Sequence, residues 1–199
     1  MYVWHKVRAN ARYENDFTDK LMLEYKSSNI INQSPDLDPD MLDVSISTGK
    51  LLVSLENDKY LPPRRRTNCI EILQSLDCDE IQVALDISKI SFDYKICFKD
   101  KNYFLELHEE QHRNLKDNRL KYIYCDSKSF QVPRYLQRLI RDCWRLKCAK
   151  ELGLNYSIIW FDYLNKHGVP KDFLSEGIHE YSLPDRFSFE RFMRDYYSY

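Results

Sequence analysis

Ser91–His112, SFDYKICFKDKNYFLELHEEQH, is the stretch from which the fold is read. Two alternating, β-prone runs, Tyr94–Phe98 (YKICF) and Tyr103–Leu107 (YFLEL), flank the polar turn Lys99-Asp100-Lys101-Asn102. Two such runs about a short polar turn predict an antiparallel hairpin. Successive side chains on a strand point to opposite faces. Phe104, Glu106 and His108 therefore share one face, and Tyr103, Leu105 and Leu107 take the other. Asp93 opens the first strand, so the stretch reads as aspartate, hairpin, then Glu-x-His. Strands in a sheet lie ~5 Å apart, close enough for carboxylates on neighbouring strands to meet.

Working outward, Asn68–Leu76 predicts a helix, with Asn68 as its cap and Glu71 as the third residue of a capping box. Glu80–Ile87 (EIQVALDI) predicts a strand. Beyond the hairpin, residues 113–131 are polar apart from one short strand, Leu120–Cys125 (LKYIYC). Pro133 starts a helix that runs to Leu152, with proline at its first position and Gly153 at its end. Tyr156–Phe161 (YSIIWF) is apolar throughout, as an interior strand is. Residues 68–161 thus follow the order helix, strand, strand, strand, helix, strand. This is a mixed α/β arrangement in which the long helix crosses back to a last strand.

The flanks are plainer. Residues 17–25 predict a short helix. Residues 27–43 read as a loop rich in proline and aspartate. Asp36, Asp38 and Asp40 imitate the start of a calcium loop, but Met41 stands where the sharp turn needs glycine and no closing glutamate follows. A solvated acidic loop is the expectation there. Residues 44–55 predict a hairpin turning at Thr48-Gly49-Lys50, and Lys59–Pro63 is extended by its prolines. Residues 185–197 predict an aromatic closing helix that packs Phe187, Phe192 or Tyr196 onto the body. One domain over 1–199 is expected: an N-terminal extension with a hairpin (1–66), a core (67–162) and a C-terminal helical tail (163–199).

A chain of 199 residues that is 43% hydrophobic and 14% aromatic can bury a sizeable core and is not disordered. No apolar run approaches the ~20 residues of a membrane span, and the first residues lack the apolar core of a signal peptide. No membrane partner is expected. The six cysteines show no Cys-x-x-Cys spacing, so they are read as reduced core residues of a cytoplasmic, intracellular protein. A net charge of -1 excludes a wholly basic nucleic-acid binder but leaves local basic patches open.

A hard divalent cation such as Mg²⁺ takes one or two carboxylates, with water and substrate phosphate completing its shell. It polarises a phosphate and lowers the pKa of an attacking water. Asp93 and Glu106 are candidates for such ligands. His108, on Glu106's face, is a candidate to assist the water or the transition state. This order of elements, with an aspartate entering the second strand and an acid followed by a polar residue on the third, resembles the PD-(D/E)XK nuclease superfamily. The resemblance covers roughly residues 67–162. It implies a restriction-endonuclease-like αβββαβ core with a mixed central sheet, and cleavage of DNA that depends on Mg²⁺ or Mn²⁺. By position, Asp93 matches the motif aspartate, Glu106 the acid of the second half, and Glu71 the extra glutamate of some members. His108 stands where the family usually has lysine, and Phe92 replaces the proline before the aspartate.

On the long helix, Arg134, Arg138, Arg141 and Arg145 follow one another in steps of four, three and four, which keeps them on one stripe. Guanidinium groups suit phosphate oxygens. Arg64, Arg65 and Arg66 extend the basic surface, and Leu136, Leu139, Ile140 and Cys143 supply the apolar face. His108-Glu109-Glu110-Gln111-His112 also matches H-E-x-x-H, the zinc peptidase motif. The preceding YFLEL reads as a strand, whereas those motifs sit within a helix. The sequence therefore points first to a metal-dependent DNA endonuclease of restriction or defence type. A non-catalytic nucleic-acid-binding or interaction protein on the same fold comes second, and a zinc peptidase third. A homodimer is consistent with symmetric cutting of a duplex.

Overall fold

The computed structural model describes residues 29–34, 45–82, 92–109, 112–113, 117–126 and 128–198. Within them the chain is mixed α/β, with two sheets and five helices. The strands are β1 (Asn29–Ser34), β2 (Ile46–Ser47), β3 (Glu80–Gln82), β4 (Phe92–Phe98), β5 (Lys101–His108), β6 (Leu120–Cys125), β7 (Lys128–Pro133), β8 (Asn155–Trp160) and β9 (Ile178–Tyr181). The helices are α1 (Thr48–Asn57), α2 (Pro63–Ser75), α3 (Arg134–Glu151), α4 (Phe161–His167) and α5 (Phe189–Tyr197).

The larger sheet has the order β1-β4-β5-β8-β9. β1, β4 and β5 are antiparallel neighbours, while β5, β8 and β9 run parallel. The second sheet, β2-β3-β6-β7, is antiparallel throughout. The expected hairpin is present and tighter than its sequence suggests. Phe98 pairs with Lys101, so the turn is Lys99-Asp100 alone. Both residues have positive φ (49° and 62°), the backbone of a type I′ turn that matches strand twist.

Alternation along β5 separates two cores. Leu105 and Leu107 join Tyr94, Ile96, Ile159 and Phe173 on one side of the sheet. Phe104 packs on the other side, against a larger cluster that includes Ile158, Trp160, Leu139 and Trp144. α3 lies between the sheets, packing on β8 of one and on β6 and β7 of the other. Its end is a Schellman motif: Gly153 (φ 61°) donates to Lys150, and Leu154 to Ala149 at 2.8 Å.

Several sequence expectations are corrected. Residues 48–57 are helical, not half of a hairpin. Ser47 caps α1 by accepting from the N–H of Lys50, and the helix buries Leu51 and Leu55 against α2 and α5. Helix α2 starts at Pro63 rather than Asn68, because proline needs no N–H partner in the first turn. Asn68 is therefore not a cap, and Glu71 is mid-helix. Only Glu80–Gln82 of the strand expected at Glu80–Ile87 is described, and it lies in the second sheet. The first strand beside the hairpin is instead β1, drawn from a stretch read as loop. β7 emerges from residues read as polar connection, with Val132 alone fully buried. The closing helix begins at Phe189. Cys78 and Cys125 are disulfide-bonded, with Cα atoms 5.9 Å apart, where six reduced thiols were expected; Cys69, Cys97, Cys143 and Cys148 are free. The helix expected at 17–25 and the aspartates at 36, 38 and 40 lie outside the described residues. No helix among the described residues is long and apolar enough to cross a membrane.

Candidate functional site

The β4–β5 ladder runs from Phe98–Lys101 to Tyr94–Leu105. Beyond it, the side chain of Asp93 takes over, its Oδ2 accepting the N–H of Leu107 at 2.8 Å. This draws Asp93 across to β5, where its carboxyl group lies close enough to that of Glu106 for each to alter the other's hold on a proton. The two acids that the sequence singles out therefore meet. Glu106 is 3% exposed. Burial pushes its carboxyl well above the ordinary value, and the charges of Asp93 and Asp142 push the same way, against the pull of Arg145. Asp93 is raised too, by burial, despite the N–H of Leu107 and the nearby guanidinium.

Helix α3 delivers the compensating charge. Arg145 Nε stands 3.5 Å from Glu106 Oε1, and its Nη1 is 2.9 Å from Oδ1 of Asp142, one turn back. Asp142 is 2% exposed. Its other oxygen, Oδ2, lies 2.8 Å from Nδ1 of His112. Burial alone would raise Asp142, yet His112, His108 and Arg145 hold it well below the usual carboxylate range. The Arg145 guanidinium is likewise raised: burial opposes its charge, but Glu106 and Asp142 outweigh that.

His108 ends β5 and is 1% exposed. Its ring stacks on that of His112, with centroids 4.2 Å apart and planes 8° from parallel. Trp160 (5.0 Å) and Phe189 (5.3 Å) meet it edge-on. Among the described residues, neither ring nitrogen of His108 has a hydrogen-bond partner. Burial, with His112 beside it, drives this imidazole well below its ordinary pKa. The Arg113 guanidinium lies 3.8 Å above the Trp160 ring and also binds Asp162 and the carbonyl of Phe187. Beneath the site, Glu180 Oε1 accepts from Trp160 Nε1 (2.5 Å) and from the N–H of Phe189 (3.0 Å). Its Oε2 accepts from Ser188 Oγ and the N–H of Glu190. One carboxylate on β9 thus ties β8 to the start of α5.

The other residues singled out in the sequence lie elsewhere. Glu71 is exposed on α2, lining a surface cavity of about 580 Å³ with Arg64, Arg65 and Asn118. It belongs to neither an N-cap nor the acid pair. The four arginines of α3 are not equivalent. Arg145 turns into the site, while Arg134 pairs with Asp117 at 3.3 Å near the surface. Arg138 and Arg141 are half-buried, and burial beside Arg134 lowers the Arg138 pKa. Arg65 donates to Asn118 (2.8 Å) and stacks on Tyr135, which brings the Arg64–Arg66 run beside the start of α3. Arg66 binds the carbonyl of Asp58. His108 lies on a strand and His112 on a turn, so the two do not share a helix face as a zinc peptidase requires.

Sequence reasoning passed over Asp142 and Glu180. Asp142 had a signal: it is the one acid between residues 133 and 150, placed a turn before Arg145 and flanked by apolar Leu139, Cys143 and Leu146. Glu180 had none, since its partners come from two other parts of the chain, the end of β8 and the start of α5. Comparison of the chain with protein-family models, with curated proteins and with solved structures finds no match.

Proposed function

We propose that this protein is a metal-dependent endonuclease of the PD-(D/E)XK type that hydrolyses DNA phosphodiester bonds. The observation that carries the reading is the meeting of Asp93 and Glu106 on adjacent strands. Two carboxyl groups this close need a cation or a shared proton between them. Asp93 and Glu106 would hold a Mg²⁺ or Mn²⁺ ion in place of that proton. Such an ion would supply a more acidic water and charge neutralisation at the phosphate. The connection supports the same reading. An antiparallel β1-β4-β5 set lies beside a β8 parallel to β5, as the resemblance implies, although β1 precedes α1 and α2, and β6 and β7 of the second sheet intervene between β5 and α3.

The chain's own groups divide the remaining work. Arg145 supplies the positive charge beside Glu106 that the family draws from lysine. His108, turned towards His112 and walled in by Trp160 and Phe189, is a packing neighbour of the site and not its base. Arg64, Arg65, Arg134 and Arg138 line the surface along α2 and α3 that would take the DNA backbone. Glu71 lies among them and has no part in the metal site.

The test is relaxation or linearisation of supercoiled plasmid in Mg²⁺ or Mn²⁺. The reading expects cutting that Asp93→Asn and Glu106→Gln each reduce at least a hundredfold. Cutting unchanged in both variants, or none with either ion, overturns it. The burial of Glu106 favours a second reading, a nucleic-acid binder on the same fold whose metal site is closed. That reading expects salt-sensitive DNA association that both substitutions leave intact.

A further inference from the structure

We propose that His108, His112 and Asp142 form a second metal site, for a borderline divalent transition ion such as zinc, distinct from the carboxylate pair. One ligand atom from each lies within 4.8 Å of the others. The three come from different elements, the end of β5, the turn after it and the middle of α3, so the fold assembles what the sequence scatters.

Two observations make this a binding site and not a packed polar cluster. The first is His108. A ring nitrogen taken from water without a partner is costly, and this imidazole has two such atoms among the described residues, at 1% exposure. A metal supplies the missing partner to one of them. The second is the orientation of Asp142. Arg145 holds its Oδ1 at 2.9 Å, which leaves Oδ2 facing His112. A charged group that fixes the far oxygen of a ligating carboxylate is the usual outer support of a metal ligand.

The chemistry selects the ion. Two imidazoles and one carboxylate suit zinc, cobalt or iron, whereas Mg²⁺ prefers oxygen ligands alone. His112 Nδ1 and Asp142 Oδ2, at 2.8 Å, part by only about 0.5 Å to reach the separation of two donors on one tetrahedral ion with bonds of ~2.0–2.2 Å. The ion takes the place of the proton between them, and the His112 proton moves to Nε2. His108 gives the third bond, and a water the fourth. A lone pair lies in the imidazole plane, so the parallel stack must open by rotation of at least one ring. Bound metal would then clamp the end of the hairpin to α3.

The experiment is metal analysis of the full chain purified without chelator, together with the visible spectrum of its Co²⁺ form. The expectation is about one zinc per chain after dialysis and the ligand-field bands of tetrahedral Co²⁺. His112→Gln and Asp142→Asn each lower zinc affinity at least tenfold while far-UV circular dichroism is retained. Asp93→Asn leaves zinc affinity unchanged, which separates this site from the nuclease reading whatever the plasmid assay gives. No Co²⁺ bands in the wild-type protein, or zinc affinity equal in wild type and a folded His112→Gln protein, overturns the proposal.

Discussion

Replacing Arg145 by methionine tests the electrostatics on which the site stands. The guanidinium has 16% of its side chain exposed and faces two carboxyl groups that are 4% and 2% exposed, at 3.5 and 2.9 Å. Methionine keeps the stem's packing and removes only the charge. Removing one partner of a buried ion pair costs about 3–5 kcal/mol. Glu106 escapes part of this by staying protonated, and Asp142 keeps His112, so the lower end, about 3 kcal/mol at pH 7, is expected. That is a large share of the ~5–15 kcal/mol that holds a domain together. It lowers the melting temperature by about 6–12 °C for a chain of this length. Without the cation Glu106 binds its proton more tightly still, while Asp142 stays ionised on His112, so the variant loses stability relative to wild type as pH rises. The deficit is therefore larger at pH 8 than at pH 5. Urea unfolding reports it through Trp144 and Trp160, both buried. Arg134→Met, at an exposed pair, is the control and costs under about 1 kcal/mol. A deficit below 1 kcal/mol for Arg145→Met, or one equal at pH 5 and pH 8, refutes the reasoning.

Three further outcomes are expected. Glu180→Ala strips four donors of their acceptor and costs about 3–4 kcal/mol, while Glu180→Gln costs about half of that; urea midpoints at matched slope decide. Glu106 has its folded pKa raised by burial, so its contribution is fully present below the unfolded value near 4.5 and is lost as pH rises towards the folded one. Glu106→Gln should therefore gain stability relative to wild type between pH 5 and pH 8, and parallel melting curves across that range would contradict this. At the hairpin turn, where Asp100 has φ 62°, Asp100→Gly removes left-handed strain and stabilises by about 1 kcal/mol; a loss of stability would mean that the turn is not type I′.

What was legible in the sequence was local. The hairpin shows itself because alternation and a polar turn are neighbours along the chain, and α3 because proline, periodicity and Gly153 bracket it. Residues 48–57 misled because Thr48, Val53 and the glycine at 49 mimic a strand and turn, whereas the deciding facts are the Ser47 cap and burial against α5, almost 150 residues away. β1 was hidden for the same reason: Asn29–Ser34 carries little strand signal and is recruited by the edge of β4. At the site, Asp93 and Glu106 could be paired from strand geometry. The inward turn of Arg145 could not, since its three fellow arginines share its spacing and differ only in what the sheet places opposite them.

The most direct measurement is anomalous scattering from a crystal soaked in Mn²⁺. The account predicts a manganese peak bonded to one carboxyl oxygen of Asp93 and one of Glu106, absent from crystals of Asp93→Asn protein. No anomalous peak between the two acids at saturating Mn²⁺ would contradict it.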